Sequence, residues 1–351
     1  MKDRSDTTPI SGLGERGLIR KVQNWCGPLP SGSFRRKASL EAGNGDDAFV
    51  VKLTSSRRLV FTTDTLVEGT HFKPNLFKGY LSEGRAWRSL GYKAMSVNLS
   101  DLAAMGGVQP LFCLITLGLD GDISVDTVDN LYKGMGELMR FYGFFTAGGD
   151  IIRSEKSIIS VTIVGDLLSR KPILRSGAGI GEVLMATGPL GLSSAGLKIL
   201  EKRVKPDENY VKILVGAHTR PEAKMKEGRI LANEDTLATS LIDTSDDLMT
   251  SIEILGEKSR VGFEVFAGRI PVHPALLKFS KESMLSPYDF LLYGGEDYQL
   301  LFTVRPSKVA RVLMKIPSAY AFGTVKPKSF GIKIIKNGKA FRLKDSRFRH
   351  F

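Results

Sequence analysis

Apolar and polar residues repeat with two different periods along the first half of the chain. Residues 80–106 carry apolar side chains at helical spacing and end at a Gly-Gly pair, and residues 125–143 repeat this pattern and end at Gly143, so both predict amphipathic helices. Short runs rich in β-branched and aromatic residues predict strands between them, namely GNGDDAFVVKL, RRLVFTTDTLV, LFCLITLGL, FFTAGGD and SIISVTIVGDL. A short helix is also predicted over residues 14–26.

The same alternation continues after the loop LSRKPILRSGAGIGE. The segment EVLMATGPL predicts a strand, SSAGLKIL begins a helix, and YDFLLYGGEDYQLLFTV closes with a strand after its double glycine. Two further segments predict helices, GRILANEDTLATSLID and DDLMTSIEILGEKS. Because strands and helices alternate throughout, we predict two α/β or α+β domains, over residues 1–168 and 169–351.

Composition narrows the cellular setting of the protein. The chain has 351 residues, enough for two domains, and 42% of them are hydrophobic. The N-terminal MKDRSDTTPI has no apolar signal core, and no apolar run approaches the roughly 18 residues that a membrane helix needs. Cys26 and Cys113 lack metal-ligand spacing. We therefore expect a cytoplasmic protein with no membrane partner and no zinc site.

The formal charge of +13 favours anionic ligands. The basic residues collect toward the chain ends, and no basic motif with interleaved aromatic residues occurs, so we expect no nucleic-acid partner. A generally solubilising surface remains the alternative. The one GxGxxG sequence, at residues 12–17, does not follow a strand, and neither a GxxxxGK[ST] loop nor the protein-kinase motif set is present. If the protein binds nucleotide phosphates, it must therefore do so through another kind of site.

Aspartates that follow apolar runs could form such a site. Four runs end at Asp64, Asp101, Asp150 and Asp243, and the pair Asp46-Asp47 lies in a Gly-rich segment. Carboxylates at the ends of buried elements would converge and repel one another unless a cation lies between them. Oxygen ligands suit Mg²⁺, which can bridge the phosphates of ATP. The alternative is that each aspartate caps a helix or turns a loop.

Other polar residues have similar double interpretations. His71 is either packed or ligand-binding, and Arg175 either binds a phosphate or is solvated. The sequence GGED at 294–297 is either a ligand-shaped loop or a hairpin turn. In LIDTSDDLMT, Thr244 or Ser245 would cap the following helix, with Asp247 as a first-turn acid pointing to solvent.

These segments together resemble the thiamine-monophosphate kinase family of the aminoimidazole-ribonucleotide-synthetase-like ATP-using superfamily. The resemblance extends from about Gly14 to the C-terminus and rests on GDDAFVV, TTDTLVEGTHF, GYKAMSVNLSDLAAMGG, AGGD, LRSGAG, DTSDDL and GGEDYQLLF, in this order. It implies a two-domain α/β (α+β) fold of that superfamily. An N-terminal mixed sheet would form a homodimer interface, and a C-terminal α/β domain would complete the nucleotide and substrate site.

The resemblance also implies ATP-dependent phosphorylation of thiamine monophosphate to thiamine diphosphate by direct, Mg²⁺-assisted transfer. The implied metal ligands are Asp47, Thr62, Thr63, Asp64, Asp101, Asp150, Asp243 and Asp246. Implied ATP contacts are Tyr132, Gly149, Asp150, Arg175 and Ser245, and implied substrate contacts are His71, Glu296 and Phe348. The residues expected to carry the chemistry are Asp101, Asp150, Arg175 and Asp246.

Three departures from the family pattern leave alternatives open. The family has Gly where this chain has Asp247, a Gly near Ser346, and an arginine at Lys224. One alternative is a nucleotide-binding homologue with impaired catalysis. The other is a further enzyme of the superfamily, such as a selenophosphate synthetase, although Cys26 lacks the neighbours expected of its reactive residue.

Overall fold

A computed structural model describes residues 17, 21, 33–34, 38–43, 45–77, 79–202, 204, 208–233 and 236–341. Most of the helix predicted over residues 14–26 lies outside this range, and so does Phe348. None of the helices in the described part of the chain combines the length and the apolar character needed to cross a membrane.

The first half of the chain forms a seven-stranded sheet. Its strands are β1 (Ser33–Phe34), β2 (Ala38–Ala42), β3 (Phe49–Lys52), β4 (Arg58–Val67), β5 (Val108–Leu119), β6 (Phe145–Arg153) and β7 (Ile158–Leu167). Their order is β1-β2-β3-β4-β7-β5-β6, and β5 and β6 are parallel whereas the other pairs are antiparallel. Two helices accompany it, α1 (Glu83–Ala104) and α2 (Val125–Tyr142).

The two faces of this sheet have different surroundings. Along β4, Val60, Thr62 and Leu66 are buried on the face that meets α1, whereas Thr63 and Thr65 are exposed on the other face. This alternation follows from the two-residue period of a strand. Helix α1 is buried along most of its length. Residues on several sides of this helix are therefore buried.

Helices α1 and α2 approach each other through glycine. A Cβ atom on Gly91 would lie 1.9 Å from the carbonyl oxygen of Leu131, and one on Gly134 would lie 1.8 Å from that of Arg88. Side chains at these positions would push the helices apart. The two glycines therefore seat α1 by backbone contact.

The second half builds another seven-stranded sheet, in the order β14-β13-β10-β12-β8-β11-β9. Its strands are β8 (Val183–Ala186), β9 (Ala238–Asp243), β10 (Val261–Phe266), β11 (Leu300–Val304), β12 (Tyr320–Pro327), β13 (Ile332–Lys336) and β14 (Lys339–Ala340). The helices are α3 (Leu192–Lys202), α4 (Asn209–Thr219), α5 (Met225–Ala232), α6 (Leu248–Ser259), α7 (Pro274–Ser283), α8 (Pro287–Tyr293) and α9 (Val309–Lys315).

One predicted element is wrong. Residues 228–243 were expected to form a single helix, but α5 ends at Ala232 and residues 238–243 form β9. This strand pairs antiparallel with β11 and buries five of its six side chains. A short, largely apolar run such as ATSLID has no period that separates a buried strand from a helix, so its tertiary pairing decides. Helix α2 ends at the position of Gly143, as predicted. Gly143 itself caps the helix in a left-handed conformation.

The two sheets lie in different parts of the chain but share apolar packing. All described strands up to Leu167 belong to the first sheet, and those from Val183 onward to the second. One buried cluster nevertheless joins Met95 of α1 to Leu241 and Phe302 of the second sheet. A domain boundary near residue 168 stays a prediction. The contact between the halves is where the candidate site forms.

Candidate functional site

Three aspartates converge between the two halves of the chain. One carboxylate oxygen each from Asp47, Asp101 and Asp243 lies within 4.8 Å of the other two. Asp47 precedes β3, Asp101 lies on α1, and Asp243 ends β9. Residues almost 200 positions apart are thus brought together, as Asp243 N also donates to Asp47 Oδ1 at 3.4 Å. We call these three residues the acidic cluster.

Hydroxyl groups orient the acidic cluster. Thr62 on β4 donates a hydrogen bond to Asp101. Asp243 accepts two such bonds, at 2.7 Å from Ser100 Oγ and at 2.8 Å from Ser245 Oγ. Each hydroxyl leaves the carboxylates ionisable while restricting their rotation. The arrangement resembles the supported carboxylates of metal sites, in which neighbouring hydrogen bonds aim the ligands.

The charges of this region are poorly compensated by the protein itself. Burial raises the pKa of Asp101 well above its usual value, and the nearby carboxylates of Asp64, Asp243 and Asp47 raise it further. Burial and the charge of Asp47 raise the pKa of Asp243 to about 7. Burial and the charge of Asp246 raise the pKa of Asp64 to about 6. The region therefore has a strong affinity for positive charge.

The oxygen-rich composition of the site fits a hard divalent cation. Beside the carboxylates, Asn98 on α1 is fully buried, and its Oδ1 has no hydrogen-bond partner while its Nδ2 donates to Ala94 O at 3.0 Å. Buried polar atoms are normally satisfied, so this orphaned oxygen, one helical turn before Asp101, is a candidate ligand atom. Carboxylate, amide and hydroxyl oxygens are the donor set that Mg²⁺ prefers.

Arg175 joins the second half of the chain to the acidic cluster. Its Nε and Nη2 donate to the two oxygens of Asp47 at 3.0 and 2.9 Å, and its backbone N donates to Asp46 Oδ1 at 2.9 Å. Burial lowers the pKa of its guanidinium, but the charge of Asp47 outweighs this and the net pKa is raised. A permanent cation in bidentate contact thus borders the site.

A second charged group includes Lys93, which lies on α1 two turns before Asp101. Lys93 Nζ contacts Glu296 Oε1 at 2.7 Å, and His218 Nδ1 contacts Glu296 Oε2 at 3.3 Å. Ser193 Oγ lies 3.2 Å from His218 Nδ1. His71 borders a small buried cavity together with Lys93 and His218. We call Lys93, His218 and Glu296 the Glu296 triad.

The Glu296 triad compensates its own charge. Burial raises the pKa of Glu296, but the positive charge of Lys93 at 2.7 Å outweighs this and lowers the pKa below its usual value. Burial and the charge of Lys93 lower the pKa of His218 to about 3, so this histidine is neutral at physiological pH. Glu296 is thus an anion whose charge is compensated by Lys93, with the ring of His218 packed beside it.

Backbone hydrogen bonds tie the loop of Glu296 to the segment that follows Asp243. Glu296 N donates to Ser245 O at 2.7 Å, and Tyr298 N donates to Thr244 O at 3.3 Å. Both donors have positive φ, 55° and 49°, a conformation that non-glycine residues adopt rarely. The GGED sequence is therefore a strained loop between α8 and β11, and the hairpin interpretation is wrong.

The structure does not bring every predicted site residue to the acidic cluster. Thr63 is exposed on the other face of the sheet, where its hydroxyl bonds Val161 O and Thr162 Oγ1. Asp150 lies on the exposed edge strand β6, where it pairs with Thr116 of β5. It is three strands away from Thr65 of β4, a distance of about 14 Å.

The remaining predicted residues have varied positions. Gly149 precedes Asp150, and a Cβ there would lie 1.7 Å from Ile115 O, so only glycine fits. Tyr132 is half-buried on α2, near Cys113. Asp246 is exposed beside Asp64. The expectation that each aspartate ends a buried element holds for Asp243 but is wrong for Asp64, Asp101 and Asp150, which lie inside β4, α1 and β6.

Asp247 has a different place from the one predicted. It is buried and forms the N-cap of α6, where Oδ1 accepts from Thr250 N and Oδ2 from Thr250 Oγ1, both at 2.7 Å. The predictions that it points to solvent and that Thr244 or Ser245 caps the helix are therefore wrong. The hydroxyl of Ser245 bonds Asp243 instead, because the chain turns toward β11 before the helix begins.

Sequence reasoning missed Lys93 and His218. Lys93 lies in the apolar stripe of α1 between Leu90 and Val97, and only 4% of its side chain is exposed. A lysine among the buried positions of an amphipathic helix was a usable signal, because lysine is almost never buried without a partner. His218 offered no comparable signal, since a buried histidine is ordinary.

Comparisons with known proteins agree with this architecture. The family described as AIR synthase related protein, N-terminal domain, matches residues 45–167. The thiamine-monophosphate kinase of Aquifex aeolicus (strain VF5) is 35% identical over 295 residues, which cover 84% of this chain and 87% of that protein. The one from Bacillus subtilis (strain 168) is 32% identical over 270 residues, covering 76% and 78%.

Solved structures give the same result. The structure of AaThiL complexed with AMPPCP and TMP has a TM-score of 0.82 and 30% sequence identity, and the match covers 99% of this chain and all of that chain, 100%. A hydrogenase maturation protein, HypE in complex with ATP, has a TM-score of 0.64 at 18% identity, covering 96% and 93%. The second likeness concerns the fold alone.

Proposed function

The chain belongs to the thiamine-monophosphate kinase family, and we infer that the acidic cluster and the Glu296 triad form the site of its reaction. The enzyme uses ATP to phosphorylate thiamine monophosphate. The observation that carries the assignment of the site is the convergence of Asp47, Asp101 and Asp243 within 4.8 Å between the two halves of the chain.

The acidic cluster is proposed to hold Mg²⁺. Asp47, Asp101 and Asp243 would supply ligands, with Asp64, Asp246 and the orphaned Asn98 Oδ1 at the periphery. When bound, the ions would neutralise charge on the transferred phosphoryl group and its leaving group. Thr62, Ser100 and Ser245 act through their hydrogen bonds, which hold the carboxylates in place.

Arg175 is proposed to bind the phosphates of ATP. Its guanidinium is already oriented by Asp47, and 19% of its side chain is exposed, so it can present an N–H group to a phosphate oxygen while staying charged. Ser245 lies beside Asp243 and is half-buried, which suits a contact to the same phosphates. These residues position the triphosphate and favour the charge that develops during transfer.

The substrate needs little chemical help from the protein. The phosphate of thiamine monophosphate is ionised at neutral pH and attacks as a nucleophile without a general base. The task of the chain is to hold this phosphate in line with the γ-phosphoryl group. His71 and Glu296 are proposed to contact the substrate, and the loop of Glu296 is bonded to Ser245, so the two binding regions share one backbone frame.

We also propose a homodimer formed through the exposed face of the first sheet. This face carries apolar side chains with large exposed fractions, 42% for Leu114, 62% for Phe145 and 49% for Ile152. Contiguous apolar surface of this kind is typical of interfaces. Asp150 lies on the same face, paired with Thr116, so it would enter an active site only in the dimer. Replacing Leu114 by glutamate should give a monomer in sedimentation.

The function is tested by incubating the purified full chain with ATP, Mg²⁺ and thiamine monophosphate. We expect thiamine diphosphate and ADP in equal amounts on chromatography, and no product with EDTA. Thiamine should be included as a second acceptor. Production of ADP without thiamine diphosphate would contradict the assignment. Binding of ATP with no turnover at all would instead favour a homologue with impaired catalysis.

The contacts of Asp247 weigh against that second interpretation. Asp247, the departure closest to the acidic cluster, uses both carboxylate oxygens to cap α6 through Thr250. Glycine is also accepted at helix N-caps, so the substitution exchanges one cap for another. The two carboxylate oxygens of Asp247 are hydrogen-bonded within the first turn of α6.

A further inference from the structure

Lys93 occupies an unusual position for a lysine. Only 4% of its side chain is exposed, and its Nζ lies 2.7 Å from Glu296 Oε1. The two residues come from opposite halves of the chain, Lys93 from the middle of α1 and Glu296 from the loop before β11. Burying an ammonium group requires a good partner, so Lys93 and Glu296 depend on each other.

The carboxylate of Glu296 is held from two sides but is not enclosed. Lys93 approaches Oε1 and His218 approaches Oε2, while 29% of the Glu296 side chain stays exposed. His218 is itself placed by Ser193 Oγ at 3.2 Å and is neutral, so Lys93 supplies the compensating charge. Glu296 is therefore oriented by its neighbours while part of its side chain is accessible to a ligand.

The chemistry of the substrate decides which of its parts can meet this carboxylate. Thiamine monophosphate carries an anionic phosphate at one end, and a cationic thiazolium ring and an amino-substituted pyrimidine at the other. An anion repels the phosphate and attracts the thiazolium or the amino donor. Glu296 therefore faces the heterocyclic end of the substrate, and the phosphate is directed away from it.

We propose that Lys93 is a positioning residue for thiamine monophosphate, which holds the Glu296 carboxylate ionised and aimed at the heterocyclic end of the substrate. This inference rests on the proposed function of the site. It assigns to Lys93 an effect on substrate affinity, exerted through Glu296, and no effect on ATP, which is bound on the side of the acidic cluster. A lysine that served only the packing of α1 would affect both ligands or neither.

The test is a double-mutant cycle on the binding of thiamine monophosphate. The variants Lys93→Met, Glu296→Gln and the double variant are prepared in the full chain. Dissociation constants are measured by calorimetry with Mg²⁺ and a non-hydrolysable ATP analogue present. We expect each single variant to weaken substrate binding about tenfold or more, because a charge-assisted contact is lost. The double variant should bind like Glu296→Gln alone, since Lys93 acts through Glu296.

Two comparisons can overturn the proposal. A Lys93→Met protein with unchanged affinity for thiamine monophosphate would do so, and so would a double variant whose loss equals the product of the two single losses. If Lys93→Met does not fold because Glu296 is left unpaired, Lys93→Gln takes its place, since its amide can still donate to Glu296 without the positive charge. An unchanged affinity for thiamine monophosphate in Lys93→Gln would overturn the proposal.

The controls separate this inference from the proposed function. Lys198→Met removes an exposed lysine paired with Glu201 at 3.0 Å and should change neither affinity. The affinity for the ATP analogue should stay within about twofold in Lys93→Met, because Lys93 does not contact the acidic cluster. A wild-type enzyme that fails to convert thiamine monophosphate contradicts the function. A wild-type enzyme that converts it, with an unaffected Lys93→Met variant, contradicts only the role of Lys93.

Discussion

The acidic cluster and the Glu296 triad use the same kind of residue in opposite ways. In the cluster, carboxylates face one another, and their proximity raises the pKa of Asp101 and Asp243. In the triad, Lys93 and His218 face a single carboxylate, and the pKa of Glu296 is lowered. Arg175 compensates Asp47, but the pKa values of Asp101 and Asp243 stay raised, so the cluster needs a further cation from outside, whereas the triad contains its own. The first is suited to binding metal, and the second to presenting one fixed charge.

The largest effect should follow from removing one carboxylate of the cluster. We expect Asp101→Asn to lower kcat for thiamine diphosphate formation by about 100-fold or more, because a ligand for the charge-neutralising ions is lost. In EDTA its melting temperature should equal or exceed that of the wild type, since repulsion with Asp243 and Asp64 is relieved. An active Asp101→Asn enzyme that still responds to Mg²⁺ would contradict the proposed metal site.

The second expected effect is on stability in the presence of metal. At a Mg²⁺ concentration about 100-fold above its dissociation constant, the wild type should gain about 2.7 kcal/mol of unfolding free energy. Calorimetric melting with and without EDTA measures this gain. Asp243→Asn should gain less. Glu296→Gln, which alters the Glu296 triad and leaves the acidic cluster intact, should gain as much as the wild type. An equal gain in all three proteins would contradict the proposed difference between the acidic cluster and the Glu296 triad.

The pH dependence of the metal-free protein should differ between the two regions. Because the pKa of Asp243 is raised to about 7 from 3.8, folding favours its protonated form, and its contribution to stability is lost as the pH rises from about 4 to 7. Asp64, raised to about 6, acts in the same direction. Melting in EDTA should therefore occur at a higher temperature at pH 5.5 than at pH 7.5.

Mg²⁺ should reverse this pH dependence, since it binds the ionised cluster. Asp297 provides an internal control, because burial also raises its pKa to about 7 while Gly191 N and Ser193 N donate to it at 2.5 and 3.1 Å. Its part of the pH dependence should persist with the metal bound. A profile that Mg²⁺ leaves unchanged would show that the cluster does not bind it.

The smallest effect concerns a carboxylate outside both regions. We expect Asp247→Ala to lower the unfolding free energy by about 1 kcal/mol through loss of the α6 cap, and Asp247→Gly to lower it by only a few tenths of this amount. Denaturant titration measures both. The affinity for an ATP analogue should be unchanged in Asp247→Gly, and a tighter affinity would show that Asp247 acts on the cluster after all.

Sequence patterns predicted the elements of the fold where the hydrophobic period was long. The helix that carries Lys93 and Asp101 and the helix that ends at Gly143 both follow from the periodic placement of apolar residues. The strand at 238–243 did not, because six residues that become buried in a sheet have no distinctive period. Its pairing with β11 depends on residues about 60 positions away.

The candidate site was only partly predictable. The aspartates stood out because each follows apolar residues, and this identified Asp101 and Asp243 although the assumed reason, an element end, applies to Asp243 alone. The bond between Lys93 and Glu296 crosses both halves of the chain, so no local pattern encodes it. Asp150 is the opposite case. Its motif predicted a site residue, but the chain places it on an exposed strand away from the acidic cluster.

Helix α1 links the two regions that have been compared. Lys93 and Asp101 lie eight residues apart on it, a separation of about 12 Å at 1.5 Å per residue. Because Gly91 and Gly134 seat this helix directly on the backbone of α2, its position is hard to change. The spacing between the Glu296 triad and the acidic cluster is therefore set by one helix. Changing it would require α1 to separate from α2, or the contact between Lys93 and Glu296 to break.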